Sequence, residues 1–348
     1  MRYTYATAFA ALAAAVPVID VEKRQSAIND GVILNYALTL EHLENAFYKE
    51  GLSKFSDADF MAAGVNPGFY NNLKQISSDE ETHVTFLTTA LSGAGVTPVQ
   101  ACTYNFGAKD AATFLAIVNV LEGVGVSAYL GAAQFIMNKD YLTAAGSILT
   151  VESRHSAYLR ENQSPKQSPF PSAFDIPLSF NEVFSLAAGF ITACPQGKDG
   201  SLGLPVKAFP ALTVTPAGVA RPGDKLTVVA ADGAPASTNA WFITSSGAVP
   251  APISGQSVTV PADAPKGQSY LVLTKDEKTP TDDSIAAGPA VVQIADNADG
   301  QSYGGAMPPA SGGNGGNGGS SPAAPSYGTY GSYGKYDQGS YASYGKYN

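Results

Sequence analysis

Histidine is nearly missing from this chain, with three in 348 residues. Cysteine is scarcer still, with two, and there is one tryptophan. Two cysteines allow at most one disulfide. Charged residues make up only 14%, with 29 acidic against 20 basic and no basic cluster, which excludes nucleic acid as a partner. The C-terminal end lacks a hydrophobic tail, so no lipid-linked anchor is expected. One run, 111–137, is apolar enough to span a bilayer, yet it contains Asn119, Glu122 and Gln134. An unpaired carboxylate at mid-span is costly, so the run reads as a central helix buried within a bundle, and no membrane anchor is expected.

Two of the three histidines sit in one pattern. Glu80-Glu81-Thr82-His83 and Glu152-Ser153-Arg154-His155 are both Glu-x-x-His in helix-compatible segments. Residues three apart share a helix face, so each pair can reach one point. At ordinary Glu usage a given His has this partner roughly one time in twenty, so two of three is a signal. Each pair is preceded by a helical segment carrying a glutamate and, seven residues on, a tyrosine: Glu41 with Tyr48, and Glu122 with Tyr129. The order repeats, as a duplicated helix pair would.

With these residues the chain resembles the ferritin-like di-metal carboxylate proteins, whose four-helix bundles use one Glu from each of two helices and Glu-x-x-His from each of the other two. The wording Ala37-Leu38-Thr39-Leu40-Glu41-His42-Leu43-Glu44 is similar to a fungal secreted branch associated with stress response or sexual development and related to the plant desiccation-related proteins. The resemblance covers about residues 25–194. It implies two iron or manganese ions, with Glu80 and Glu152 bridging, Glu41 and His83 completing one metal, and Glu122 and His155 the other. It also implies that Tyr48 and Tyr129 hydrogen-bond across to ligand carboxylates. Glu44, one turn after Glu41, is open between a ligand in its place, a seventh ligand and a base beside the ligands. His42, Asp79 and Glu81 fall off the ligand face; His42 is expected at the surface or an interface, Asp79 and Glu81 in solvent. A Glu-x-x-His taken singly is usually a solvated surface pair, and a buried polar network without metal would also satisfy the cluster. Glu122 in an apolar helix favours coordination, because an unpaired carboxylate there is expensive.

Residues 1–24 read as a secretory signal and short propeptide: Arg2, an apolar core at 8–18, Ala13-Ala14-Ala15 as cleavage site, then the dibasic Lys23-Arg24. That predicts a secreted protein of the extracellular space or cell wall, in which Cys102 and Cys194 pair, the alternative being two buried thiols. The bundle domain is expected over 25–200, with helices at 26–52 (Gly51 a plausible stop), 69–91, 109–137 and 141–160, and a fifth at 181–193. Asn162-Gln163-Ser164 is a glycosylation triplet made doubtful by Pro165.

From about residue 204 the period shortens. Runs at 212–214, 225–229, 241–244, 257–260, 270–273 and 290–294 are separated by Gly, Pro and Asp, which predicts an immunoglobulin-like β-sandwich over 204–295 with Trp241 in its core. No ligand set occurs there. Residues 296–348 are Gly/Ser-rich, then tyrosine-repeated and almost free of aliphatic side chains, which predicts disorder. The fold class expected is thus an all-α ferritin-like four-helix bundle plus a small all-β sandwich and a disordered tail. Two functions follow. One is a di-metal oxidoreductase handling oxygen or peroxide. The other is a non-enzymatic protein of the cell wall or matrix on the same scaffold. Metal storage is a third reading, but it needs a closed shell of subunits.

Overall fold

In the computed structural model, residues 28–195 and 203–296 are described. The expected leader over 1–24 and all but the first residue of the expected tail lie outside them.

Four long helices form the bundle: α1 (Asp30–Lys54), α3 (Phe69–Gly93), α4 (Ala111–Ala133) and α5 (Lys139–Asn162), with the short α2 (Asp57–Ala62) after α1. Three of the four starts are capped by a side chain. Asn29 accepts from the Val32 N–H, Asp110 from that of Thr113, and Asn138 from that of Asp140, satisfying donors that a helix leaves free. α1 packs on α3 and α4 on α5, giving two hairpins, and α1 also lies against α4.

The expected third helix, 109–137, is shorter at both ends, and the first begins at Asp30, not 26. Two further differences have a physical cause. α1 runs through Gly51 to Lys54. A Cβ at Gly51 would come within 2.0 Å of the Phe114 ring, so this glycine serves a close helix–helix approach, not a stop. Between the first two expected helices, where none is expected, lies α2, whose start is a reciprocal cap between Ser56 and Asp59.

The fifth helix, α6 (Phe180–Ala187), is shorter than expected. It gives way to a single 3-10 turn (Ala188–Phe190), and then β2 (Ile191–Ala193) pairs antiparallel with β1 (Thr103–Tyr104). The β-branched Ile191 and Thr192 after Gly189 fit a strand better than a helix. At the end of this pair Cys102 and Cys194 form a disulfide across 92 residues of chain. Asn162 is buried and donates to the Tyr158 carbonyl at 2.8 Å, so it is not presented as a glycosylation acceptor.

The β region is two sheets. One has the order β4 (Val219–Ala220), β11 (Ile285–Ile294), β10 (Gly267–Thr274), β6 (Asn239–Thr244), β7 (Gly247–Ala251); the other β3 (Leu212–Thr215), β5 (Lys225–Ala230), β9 (Ser257–Thr259), β8 (Ile253–Ser254). Between them pack Phe242, Leu271, Val258 and Ile294. Trp241 is not in this core. Successive strand residues face opposite ways, so burying Phe242 turns Trp241 to the other face. There it is half-buried against the bundle-side cluster, and its Nε1 donates to Thr274 Oγ1 at 3.1 Å.

That other face is covered by helices. Ile243, Tyr270, Val272 and Ile285 share one hydrophobic cluster with Leu121, Val124 and Ala128 of α4. Polar bonds fix the junction. Tyr270 Oη donates to the Gly123 carbonyl at 3.0 Å, and Gln268 Nε2 donates to that of Val120 at 3.0 Å. Ser179 and Asn181 both donate to Asp282. The long apolar α4 is therefore buried between its partner helices and a sheet. This burial explains a hydropathy that would otherwise suit a membrane.

Candidate metal centre

All six carboxylate and imidazole groups named from the repeat converge inside the bundle. Glu41, Glu80, Glu122 and Glu152 are fully buried, and His83 and His155 nearly so. They form two overlapping groups, Glu41–Glu80–His83–Glu152 and Glu80–Glu122–Glu152–His155, whose donor atoms within each group lie within 4.8 Å of one another. Glu80 and Glu152 belong to both.

The placement follows from helix geometry. Glu80 and His83 are one turn apart on α3, and Glu152 and His155 are one turn apart on α5, so each pair points at the axis from one helix. Glu41 and Glu122 complete the ring from α1 and α4. His83 Nδ1 lies 3.2 Å from Glu41, 3.3 Å from Glu80 and 3.4 Å from Glu152. His155 Nδ1 lies 3.0 Å from Glu80 and 3.4 Å from Glu122.

The tyrosines cross between the repeats. Tyr48 of the first hairpin donates to Glu122 of the second, and Tyr129 of the second donates to Glu41 of the first. Each phenol occupies one carboxylate oxygen, and the other, Glu122 Oε2 or Glu41 Oε2, faces an imidazole nitrogen at 3.4 or 3.2 Å. Glu80 Oε1 and Glu152 Oε1 are likewise buried and meet the imidazole nitrogens of His155 and His83, while Glu152 Oε2 is buried with no hydrogen bond made.

Glu44 is also inside, buried beside Glu152. A Cβ on Gly125 would stand 3.0 Å from both Glu44 Oε1 and Glu152 Oε2. Gly125 therefore clears the space in which these carboxylates meet. Its place one turn after Glu122 in a buried helix was the available signal. Glu41, not Glu44, is in the four-residue groups.

Two off-face residues differ in fate. Glu81 is exposed and paired with Lys49 at 2.8 Å, as its position predicts. Asp79 is not free in solvent: it is half-buried, with Oδ2 3.3 Å from His155 Nε2. A carboxylate on the far nitrogen fixes the orientation of an imidazole, a role that helix-face arithmetic alone could not assign to Asp79. His42 is half-buried, its Nε2 3.2 Å from the Val99 carbonyl, tying α1 to the loop after α3.

The electrostatics are those of crowded anions. Burial drives Glu41 up to about 7, against the opposing bond from His83. Burial, then the charges of neighbouring carboxylates, pushes Glu44 and Glu152 well above the usual range. Burial would raise Glu80 too, but bonds from His155 and His83 outweigh it and hold Glu80 at about 2. His155 rises to about 12 against its burial, through the charge of Glu122 and the bond with Asp79, and His83 also rises. Protons are thus shared among groups that would repel one another if all ionised.

Four buried carboxylates gathered around two imidazoles, with donor atoms of each group within 4.8 Å of one another, fit a pair of cations. Four ionised carboxylates also neutralise two divalent ions, so the charge of the six-residue set suits two such metals. Oxygen-rich donors with one imidazole per ion suit iron or manganese.

The match to a family model agrees with the bundle. Residues 29–164 match the family model described as Ferritin-like domain. Protein rds1 of Schizosaccharomyces pombe is 31% identical over 184 residues, covering 51% of this chain and 42% of that protein, so the chain spans less than half of this relative's length. Among solved structures, a ferritin-like, diiron-carboxylate protein from Bacillus anthracis is 17% identical, covering 38% of this chain and 96% of its own, with a TM-score of 0.32. A conserved hypothetical protein from Mycobacterium tuberculosis is 20% identical, covering 36% and 91%, also with a TM-score of 0.32. Residues 29–164, the bundle segment and less than half of the chain, are thus similar to the ferritin-like domain family.

Proposed function

We propose that this chain is a secreted di-metal carboxylate protein that holds two iron or manganese ions and acts on oxygen or peroxide in stress or development. The observation that carries the proposal is the pair of overlapping donor groups sharing Glu80 and Glu152, each closed by its own histidine. Glu41 and His83 would hold one ion, Glu122 and His155 the other, with Glu80 and Glu152 between them. When bound, two such ions supply one-electron steps and coordination positions that six protein ligands leave open.

The chain's own residues do the rest. Tyr48 and Tyr129 hold Glu122 and Glu41 by one oxygen each, so the other points inward. Asp79 holds the ring of His155. Full burial of the four glutamates excludes bulk water. Glu44, which burial and then the charges of neighbouring carboxylates push above the usual carboxylate range, stands beside Glu152. Export is supported by the signal-like start and by the Cys102–Cys194 disulfide, a bond typical of oxidising compartments.

Elemental analysis of protein purified without chelator and reconstituted with iron or manganese tests the reading. We expect two metals per chain, and below one after the double substitution Glu80→Ala and Glu152→Ala. Less than one in the wild type sinks it. The second reading, a non-enzymatic wall or matrix protein, is favoured by the β region, which carries no ligand group among its described residues. Full-length protein released from cells by mild washing would count against that reading.

A further inference from the structure

Beside the cluster, the bundle contains a cavity that none of the donor groups fills. It measures about 20 Å³ and is bordered by Ala37 and Leu40 of α1, Leu87 of α3, Tyr129 and Ala132 of α4 and Ala145 of α5, with an almost wholly apolar wall. Its lining includes neighbours of the site residues. Leu40 adjoins Glu41, Leu87 is one turn past His83, and the Tyr129 phenol itself donates to Glu41. On its outer side is Phe86, which is 43% exposed.

A space of this size admits one small molecule, since roughly 10–15 Å³ suffices for a water. Water and hydrogen peroxide both need polar partners, and this wall offers almost none, so an apolar occupant is favoured. A metal ion is excluded for the same reason. We propose that this cavity binds dioxygen and brings it to the Glu41–His83 half of the cluster. The delivery step rests on the di-metal reading above; the binding step does not. The proposal also divides the site. The cavity is lined by Tyr129, which bonds Glu41, and by Leu87, one turn past His83, whereas the Glu122–His155 half is backed by half-exposed Asp79.

Xenon is a suitable probe, being apolar and compact. Xenon NMR on the metal-free full chain is expected to show one saturable site. Ala132→Leu, which fills the cavity, is expected to weaken binding roughly tenfold or more, with Ala145→Leu as a second filling variant should the first fold poorly. No xenon site in the folded wild type overturns the proposal. In a second arm, iron(II)-loaded wild type and variant are mixed rapidly with dioxygen or with hydrogen peroxide. Slower oxidation by dioxygen alone supports delivery through the cavity. Unchanged rates with dioxygen, or equal slowing with both oxidants, overturn it. If the wild type takes up no iron, the di-metal reading and the delivery step fail together, and xenon still decides whether the cavity binds apolar gas.

Discussion

The Tyr48 phenol donates to Glu122, a carboxylate 74 residues away in the other hairpin. Tyr129 returns the same bond to Glu41 across 88 residues. The two halves of the duplicated pattern are therefore interlocked through their sites as well as through their cores.

Removing one phenolic oxygen should be felt by the metals and not by the fold. Tyr48→Phe keeps the ring that packs near Phe47 and Phe114 but frees Glu122 to rotate. Loss of such a partner typically weakens metal binding by about 10- to 100-fold. Tyr129→Phe should cost about the same through Glu41. Chelator competition titrations read both, and wild-type affinity in either variant would refute the orienting role.

Metal binding should expel protons and tighten as pH rises. Without metal, Glu41 has a folded value of about 7 against 4.5 when unperturbed, so its stabilising effect is full below 4.5 and is lost as pH rises through 7. His155, raised from 6.5 to about 12, loses its contribution over the window above 6.5. Glu80 runs the other way: its contribution is present above 4.5 and is lost as pH falls towards 2. The metal-free protein should therefore lose stability between pH 5 and 8, where the loaded protein gains affinity by shedding the same protons. Calorimetry in buffers of differing ionisation enthalpy measures the release, and zero net release would contradict the shared-proton cluster.

Reducing the Cys102–Cys194 bond should weaken the fold but not empty the site. Closing a loop of 92 residues is worth on the order of 4–5 kcal/mol in the chain-entropy account. Urea unfolding with and without reductant reads the difference. The metal count of Cys102→Ser/Cys194→Ser should match that of the wild type, since neither cysteine borders the donor groups.

The site was legible in the sequence because its determinants are local and repeated. Glu-x-x-His fixes a helix face within one turn, and the matched Glu–Tyr offsets show which preceding glutamates belong with it. What sequence reasoning missed depends on contacts between distant segments. Asp79 lies off the α3 face, and only the approach of α5 gives it His155. Gly51 looks like a helix stop until the Phe114 ring is set against it. Trp241 was expected in the sandwich core on size and scarcity, but strand parity assigned that place to Phe242. The β runs were visible from their alternation. The packing of their second face on α4 was not, because near-continuous apolar wording in β10 and β11 gives no hint of which neighbour covers which side.

Gln268 and Tyr270 grip the backbone carbonyls of Val120 and Gly123, the residues on either side of Leu121 and Glu122. One turn of one helix thus presents an anion to the bundle axis and its back to a β-sheet. Severed from that sheet, the helical half would leave a broad oily flank of α4 in water, and the sheet would lose the cover over Ile243, Val272 and Ile285. The smallest piece of this polypeptide able to hide its own apolar surface is both halves together.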